Sequence, residues 1–323
     1  MQFEGSTHAL RWIFSRSKLD ELYKKADRRS FPANKESADG ELQSGAEECM
    51  TDEEEAIIVA MNEKQLLDLC NHLKAPESVT YTALTFLRRY YLYHSVIEYD
   101  PSEVTVTCLF IASKVEENRE ITAMKLHLTV KNFEIKNMIE IELPIMAGIN
   151  FDLQVFLPFR PLYGFVLDLQ DVVPQPDPSY YSSLYSKAHS ILLHSMRTDA
   201  MFLYSPSQLA LAALISASRS LEDGKFAPYV DQYLKSAGLE YAASKLEQMD
   251  MIKVMLAELP PIDSVKRRNA VRKLKLLRSR LSASSLTKTQ DAGPVPRSGE
   301  SPHNENQANE ENAKTGKLAE VVK

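Results

Sequence analysis

Apolar residues recur along most of the chain at the three-to-four-residue spacing of amphipathic helices. Asp52 to Leu73 opens with Thr51 as a cap and a run of acids, which suit a helix N-terminus, and carries a stripe of Leu66, Leu69/Cys70 and Leu73. Pro76 starts a second helix, on which Val79, Ala83, Phe86, Tyr90 and Tyr93 share one face. That face reads as core, which leaves Tyr91 and the Arg88-Arg89 pair facing elsewhere, as surface residues. Pro101 to Val115 differs. Val104, Val106, Cys108, Leu109, Phe110, Ile111, Ala112 and Val115 cover nearly every side, the pattern of a helix enclosed by others. A short helix near 121–127 and another at about 132–148 complete a five-helix block.

After the proline-marked connector QVFLPFRP the plan repeats, with helices expected at about 160–170, 179–197, 205–220, 226–236 and 240–258. Ser207 to Ser218 (SQLALAALISAS) is again apolar almost all round, the counterpart of Val104 to Val115. Both enclosed helices begin at a proline, Pro101 or Pro206, preceded by Asp100 or Ser205 as N-caps. The repetition suggests an internal duplication, although a ten-helix solenoid would give a similar apolar pattern.

The ends are different. A helix is expected over 6–29, led by Ser6, Trp12 and Phe14, followed by a polar linker over 30–51. KRRNAVRKLKLLRSR (Lys266 to Arg280) predicts a basic amphipathic helix with Val271, Leu274, Leu277/Arg278 and Leu281 as its stripe. From 284 onward large apolar side chains almost vanish, and disorder is expected. The expected division is therefore 1–51 as N-terminal helix and linker, 52–153 and 154–260 as two helical domains, 261–283 as basic helix, and 284–323 as tail.

Composition narrows the function. Only 10 of 323 residues are glycine, about half the usual ~7%, which disfavours hairpins and phosphate-cradling loops. The net charge is −6, yet residues 262–281 set eight basic residues against Asp263 and net +7, so the rest carries −13. That balance argues against a protein built mainly to coat nucleic acid. No apolar run is long enough to span a membrane, and MQFEGSTHALRW lacks a signal-peptide core. Cys49, Cys70 and Cys108 form no CxxC, and His8, His72, His94, His127, His189, His194 and His303 form no HxxxH, so no metal or cofactor site is indicated. GxGxxG, GxxxxGK[ST] and a serine-hydrolase elbow are also absent. Nothing proposes a catalytic constellation.

Four segments carry a resemblance. FLRRYYLYHSVIEYDPSEVTVTCLFIASKVEE (Phe86 to Glu117) resembles the core of a cyclin box. PFRPLYGFVLDL (Pro158 to Leu169), TDAMFLYSPSQLALAALISASR (Thr198 to Arg219) and RWIFSRSKLDELYKKADRR (Arg11 to Arg29) are similar to the cyclin H branch of that family. The resemblance implies an all-α tandem cyclin fold, two five-helix boxes with N- and C-terminal flanking helices. It implies a non-enzymatic subunit that binds and activates a cyclin-dependent kinase. Its partners would be the catalytic subunit of the CDK-activating kinase (CAK), a RING-finger assembly factor and the TFIIH core. That kinase phosphorylates CDK activation loops and the RNA polymerase II C-terminal domain, in the nucleus. Alternatives are another transcriptional cyclin (C, K, L or T type) or a cyclin-fold general transcription factor that binds nucleic acid; the acidic repeats and the cysteine pattern disfavour the latter.

By resemblance, Lys114 at the end of the enclosed helix and Glu142 on the fifth helix pair up and hydrogen-bond the kinase backbone, with Glu117 of the SKVEE segment beside them. From its spacing alone, Lys114 reads as a snorkelling lysine at a helix C-terminus. Pro144 and Gly148 interrupt the expected fifth helix, which makes Glu140 the alternative to Glu142. The substrate-docking patch of cell-cycle cyclins is not expected, because Val59-Ala60-Met61-Asn62-Glu63 lacks its arginine and leucine. Lys266, Arg267, Arg268, Arg272 and Lys273 are candidates for a nuclear-localisation signal or a partner contact.

Overall fold

The computed structural model describes residues 3–27, 50–173, 179–221, 224–248 and 263–290, and everything below concerns these. The described residues form helices and no strands. A 3-10 turn (Phe3–Gly5) leads into α1 (Thr7–Trp12) and α2 (Arg16–Asp27). The first five-helix set is α3 (Asp52–Leu73), α4 (Glu77–Tyr91), α5 (Pro101–Val115), α6 (Ala123–Thr129) and α7 (Ile135–Gly148). The second is α8 (Phe159–Val172), α9 (Ser179–Ser195), α11 (Pro206–Ser220), α12 (Ala227–Ser236) and α13 (Glu240–Gln248), with a single turn, α10 (Ala200–Leu203), before α11. A long α14 (Ser264–Gln290) follows.

The two all-round apolar helices are the centres of the two sets. α5 packs on α3, α4 and α7, and α11 packs on α8, α9, α12 and α13. Both start as their sequences dictate. Asp100 accepts the Ser102 N–H, and Ser205 with Gln208 closes a reciprocal capping box. Thr51 and Glu54 cap α3 in the same way. The second set meets the first where Tyr81 packs edge-on against Phe159 and His189 Nε2 lies 2.6 Å from Glu77.

The ends depart from the expected single N-terminal helix. Ser15 caps a new helix by accepting the Lys18 N–H, and just before it the Phe14 N–H donates to the Phe202 carbonyl of the second set. The chain must be extended at Ile13–Ser15 to make that bond. Trp12, Leu19 and Leu22 are buried, so this N-terminal segment is part of the core. At the other end α14 continues to Gln290, past the expected boundary at 283; no glycine or proline interrupts it before Gly293 and Pro294. It buries Ala270, Leu274 and Leu277, with Val271 at the margin; the Leu281 side chain, Cys49 and the expected tail from 291 lie outside what is described. Burying each leucine contributes about 1.5–3 kcal/mol.

One expectation is corrected here. Arg88, Arg89 and Tyr91 do not lie on the surface. The Arg88 side chain is 10% exposed, Arg89 is fully buried and Tyr91 is 8% exposed. α4 is covered on its polar side by the N-terminal segment and by the chain before α10. The Arg89 guanidinium lies 4.6 Å over the Trp12 ring and donates to the Asp152 carbonyl. Trp12 Nε1 donates to the Asp152 carboxylate at 3.0 Å. Burial pulls the Arg89 pKa down to about 9, partly offset by Asp152, which leaves it cationic at neutral pH.

Candidate functional site

α5 ends in the order the sequence sets. Its last buried side chains are Ile111, Ala112 and Ser113; the next residue, Lys114, emerges at the C-terminal turn, where a cation is favoured. The chain then turns through Glu117 in the left-handed region (φ 54°), with the Asn118 N–H bonded back to the Ser113 carbonyl. Glu116 accepts from Thr82 Oγ1 at 2.9 Å. Glu117 points into solvent, with no ion pair among the described residues.

α7 brings Glu142 to Lys114, and the ammonium donates directly to its carboxylate. The Lys114 side chain is 49% exposed and Glu142 16%. Lys114 Nζ also sits 4.5 Å from the centre of the Phe110 ring. Partial burial lowers the Lys114 pKa. Three ammonium donors and two carboxylate oxygens thus stand side by side, and the pair can offer hydrogen bonds of both polarities to a backbone segment.

Pro144 does not displace this arrangement. It sits inside α7, where it leaves the Glu140 carbonyl without its helical donor, and Glu140 is exposed so that water can serve instead. Glu140 pairs with Lys136 at 3.7 Å, on solvent, and does not reach Lys114. Gly148 has a packing reason: a Cβ there would come within 2.7 Å of His94 Nε2 and 2.9 Å of the Tyr90 ring.

α7 is apolar on two sides. Met138, Ile141 and Ile145 face the core, whereas Ile139 and Leu143 are each 60% exposed. Ile139, Glu142, Leu143 and Met146 share one face by helical spacing, so the carboxylate stands beside two apolar side chains, Ile139 and Leu143, left largely uncovered among the described residues. The sequence reading missed this surface, although an apolar residue on both faces of α7 was its visible signal.

A second ionic cluster was also missed. Arg88 Nη1 donates to Glu63 Oε1 and to the Arg197 carbonyl, both at 2.7 Å, and Nη2 lies 3.3 Å from Asp199. Tyr23 donates to Asp199 at 2.7 Å, and Arg16 reaches the same carboxylate. Burial pushes the Glu63 carboxyl pKa up, against the pull of Arg88 and Arg197, and pushes up the Tyr23 hydroxyl, which stays a donor. This cluster ties α2, α3, α4 and the start of α10 together, with Arg88 and Glu63 nearly sealed and Arg16 and Tyr23 on its exposed edge.

The basic residues of α14 divide. Lys266 bonds Glu53 at 2.6 Å and Lys273 bonds Glu54 at 2.8 Å, anchoring α14 on the acidic start of α3. Arg267, Arg268 and Arg272 remain exposed. Among the described residues no cluster of metal-ligating side chains occurs and no helix is long and apolar enough to cross a membrane.

Two enclosed helices, α5 packed on three helices of its set and α11 on four of its own, define a tandem cyclin fold. Comparison with known families agrees: residues 41–154 match the cyclin N-terminal domain and residues 157–260 the cyclin C-terminal domain. The chain belongs to the cyclin family, whose members are non-catalytic regulatory subunits of kinases. Its similar relatives include Cyclin-H1-1 of Arabidopsis thaliana, 28% identical over 76% of this chain and 80% of the relative. Another is Cyclin mcs2 of Schizosaccharomyces pombe, 31% identical over 66% of this chain and 68% of the relative. A chain in the structure of the CAK complex from Chaetomium thermophilum bound to ATP-gamma-S has the same fold, with TM-score 0.71, 22% identity, and coverage of 94% of this chain and 98% of that one.

Proposed function

We propose that this cyclin H-like chain binds and activates a cyclin-dependent kinase through the face built from Lys114, Glu142, Phe110, Ile139 and Leu143. The observation that carries the reading is the paired ammonium and carboxylate held half-open among exposed apolar side chains. A partner helix could bury Ile139 and Leu143 while its backbone groups bond the pair. Because the face is complementary to one arrangement of the partner, binding would shift the kinase toward its active conformation by population shift. Glu117, exposed two residues past the end of α5, would lie at the rim of the contact. The names of the similar cyclins, and the fold shared with a chain of the CAK complex, support a place in the nucleus as the CAK cyclin, together with a RING-finger assembly factor and the TFIIH core. The exposed cations of α14 suit a nuclear-import signal.

The purified chain should transfer no phosphate by itself. Added to its kinase, it should raise phosphorylation of an activation-loop or polymerase C-terminal-domain peptide well above that of the kinase alone. A kinase left unstimulated at saturating cyclin, with the cyclin folded by thermal melt, would overturn the reading.

A further inference from the structure

α14 has a second, unused side. Its buried face carries Ala270, Leu274 and Leu277 and its flank spends Lys266 and Lys273 on α3. The remaining side borders an open groove with about 660 Å³ of space, lined by Met61 of α3 and by Arg267, Arg268, Val271, Arg272, Lys275, Leu276 and Ser279 of α14. Four cations line it and, among the described residues, no acid does. Among the described residues Arg268 and Arg272 bond neutral oxygens, the Ser264 carbonyl and the Asn269 side chain. Between the cations lie Met61, Val271 and Leu276, the last 55% exposed.

Charge and shape together select an occupant. Four cations with no acid lining the groove among the described residues, in a chain that is otherwise acidic, make a local field that attracts anions. The apolar strip between them discriminates among anionic partners: a phosphate backbone has no apolar group to place on Leu276 and Met61, whereas a peptide that alternates acids with leucine-like residues satisfies both. From Arg267 to Ser279 the lining runs about 18 Å at ~1.5 Å per residue, the length of about three helical turns. The geometry points to a docking site for a short acidic segment of a partner protein, with its large apolar side chains on Met61, Val271 and Leu276 and its carboxylates on Arg267, Arg268, Arg272 and Lys275. None of its lining residues belongs to the Lys114–Glu142 face, so a partner held here would be recruited without taking the kinase's contacts.

The test uses the full chain and a fluorescein-labelled peptide of three Glu-Leu-Phe-Glu repeats, read by fluorescence anisotropy. Wild type should bind it, more weakly as salt rises. Arg272→Glu combined with Lys275→Glu should weaken binding about tenfold or more. Leu276→Ala, or a peptide with alanine in place of its leucine and phenylalanine, should each weaken it about tenfold, as expected for losing one buried large apolar contact. Arg272→Gln combined with Lys275→Gln gives a milder second variant should the reversal disturb the melt. Stimulation of the kinase should be unchanged in all of these. No binding to wild type overturns the proposal, as does affinity that ignores Leu276. Displacement of the peptide by a single-stranded oligonucleotide at equal affinity assigns the groove to nucleic acid and overturns it too. Binding that emerges only after removal of the acidic residues 36–48 would make that segment the occupant, against a partner in trans.

Discussion

Two of the basic–acidic pairs on the cyclin's first box sit in surroundings that give them opposite roles. Arg88 and Glu63 are nearly sealed, at 10% and 5% side-chain exposure, and Arg88 is shared among Glu63, Asp199 and the Arg197 carbonyl. Lys114 and Glu142 are 49% and 16% exposed and, among the described residues, hold each other and the Phe110 ring. In the first pair every strong acceptor belongs to the same chain, from segments that must come together for the fold to exist. In the second the ammonium keeps donors to spare and the surrounding Ile139 and Leu143 are bare. A buried pair of this kind sets which segments meet; an open one is available to a second molecule. The difference lies in burial and in the number of partners, since the charges are the same.

The sharpest way to break the comparison is at Arg88. Arg88→Ala takes from buried Glu63 its close cation and leaves Arg197 at 4.0 Å as its remaining ion-pair partner among the described residues, and should cost about 3–5 kcal/mol in denaturant unfolding. Replacing Arg88 and Glu63 together by Met and Leu should recover part of that loss, because no uncompensated charge remains at Glu63. If Arg88→Ala costs no more than a surface substitution, the junction is not what holds α2, the first box and the start of α10 together.

Next in size is α14. Deleting 262–323 removes Ala270, Leu274 and Leu277 from the core and should cost about 3 kcal/mol or more, whereas deleting 291–323 should leave the melt unchanged. Equal losses in the two truncations would mean that residues beyond Gln290 contribute to the core.

A smaller effect should come from His8, which is buried between the start of the chain and the connector, accepting the Phe156 N–H at 3.1 Å. Burial, with Arg89 nearby, lowers its pKa to about 3. The unfolded chain therefore binds a proton that the fold refuses between pH 6.5 and about 3, and stability is complete above pH 6.5 and falls as pH drops through that window. From pH 7 to 5.5 the loss should be about 1.4 kcal/mol. His8→Gln keeps an acceptor and removes the titration, so its melting temperature should change less over that range. Parallel pH profiles for the two proteins would place the acid sensitivity elsewhere.

Much of this architecture is legible from residue spacing. The two all-round apolar helices are the centres of the two boxes, and the caps at Thr51, Asp100 and Ser205 start helices where the side chains say they should. Local spacing failed on α4. Its face of Val79, Ala83, Phe86 and Tyr90 is indeed core, while Tyr93 falls past the end of α4 and is half-buried. Arg88 and Arg89 are covered by Trp12, Asp152, Arg197 and Asp199, and Tyr91 lies near Cys108 and Arg278, residues distant along the chain. No local period can report a neighbour that far away. At the candidate site, spacing favoured a local role for Lys114, and only the family resemblance joined it to Glu142. Pro144 looked disruptive because the cost of a helical proline was counted without the solvent exposure of Glu140, whose carbonyl loses the helical donor.

The account rests most on the open pair, and titration of the kinase with wild type, Lys114→Ala, Glu142→Ala and the double variant tests it directly. Lys114→Ala should cost only about 0.3–1 kcal/mol of fold stability, the value of a charge at a helix end. Its kinase affinity should fall about 30- to 5,000-fold, as for a charged hydrogen bond lost from a sealed interface. Glu142→Ala should weaken binding as well, and the double variant should lose less than the sum of the two, because the pair acts as one unit. Unchanged affinity for Lys114→Ala with a normal melt would contradict the account and return this lysine to a local charge at the end of α5.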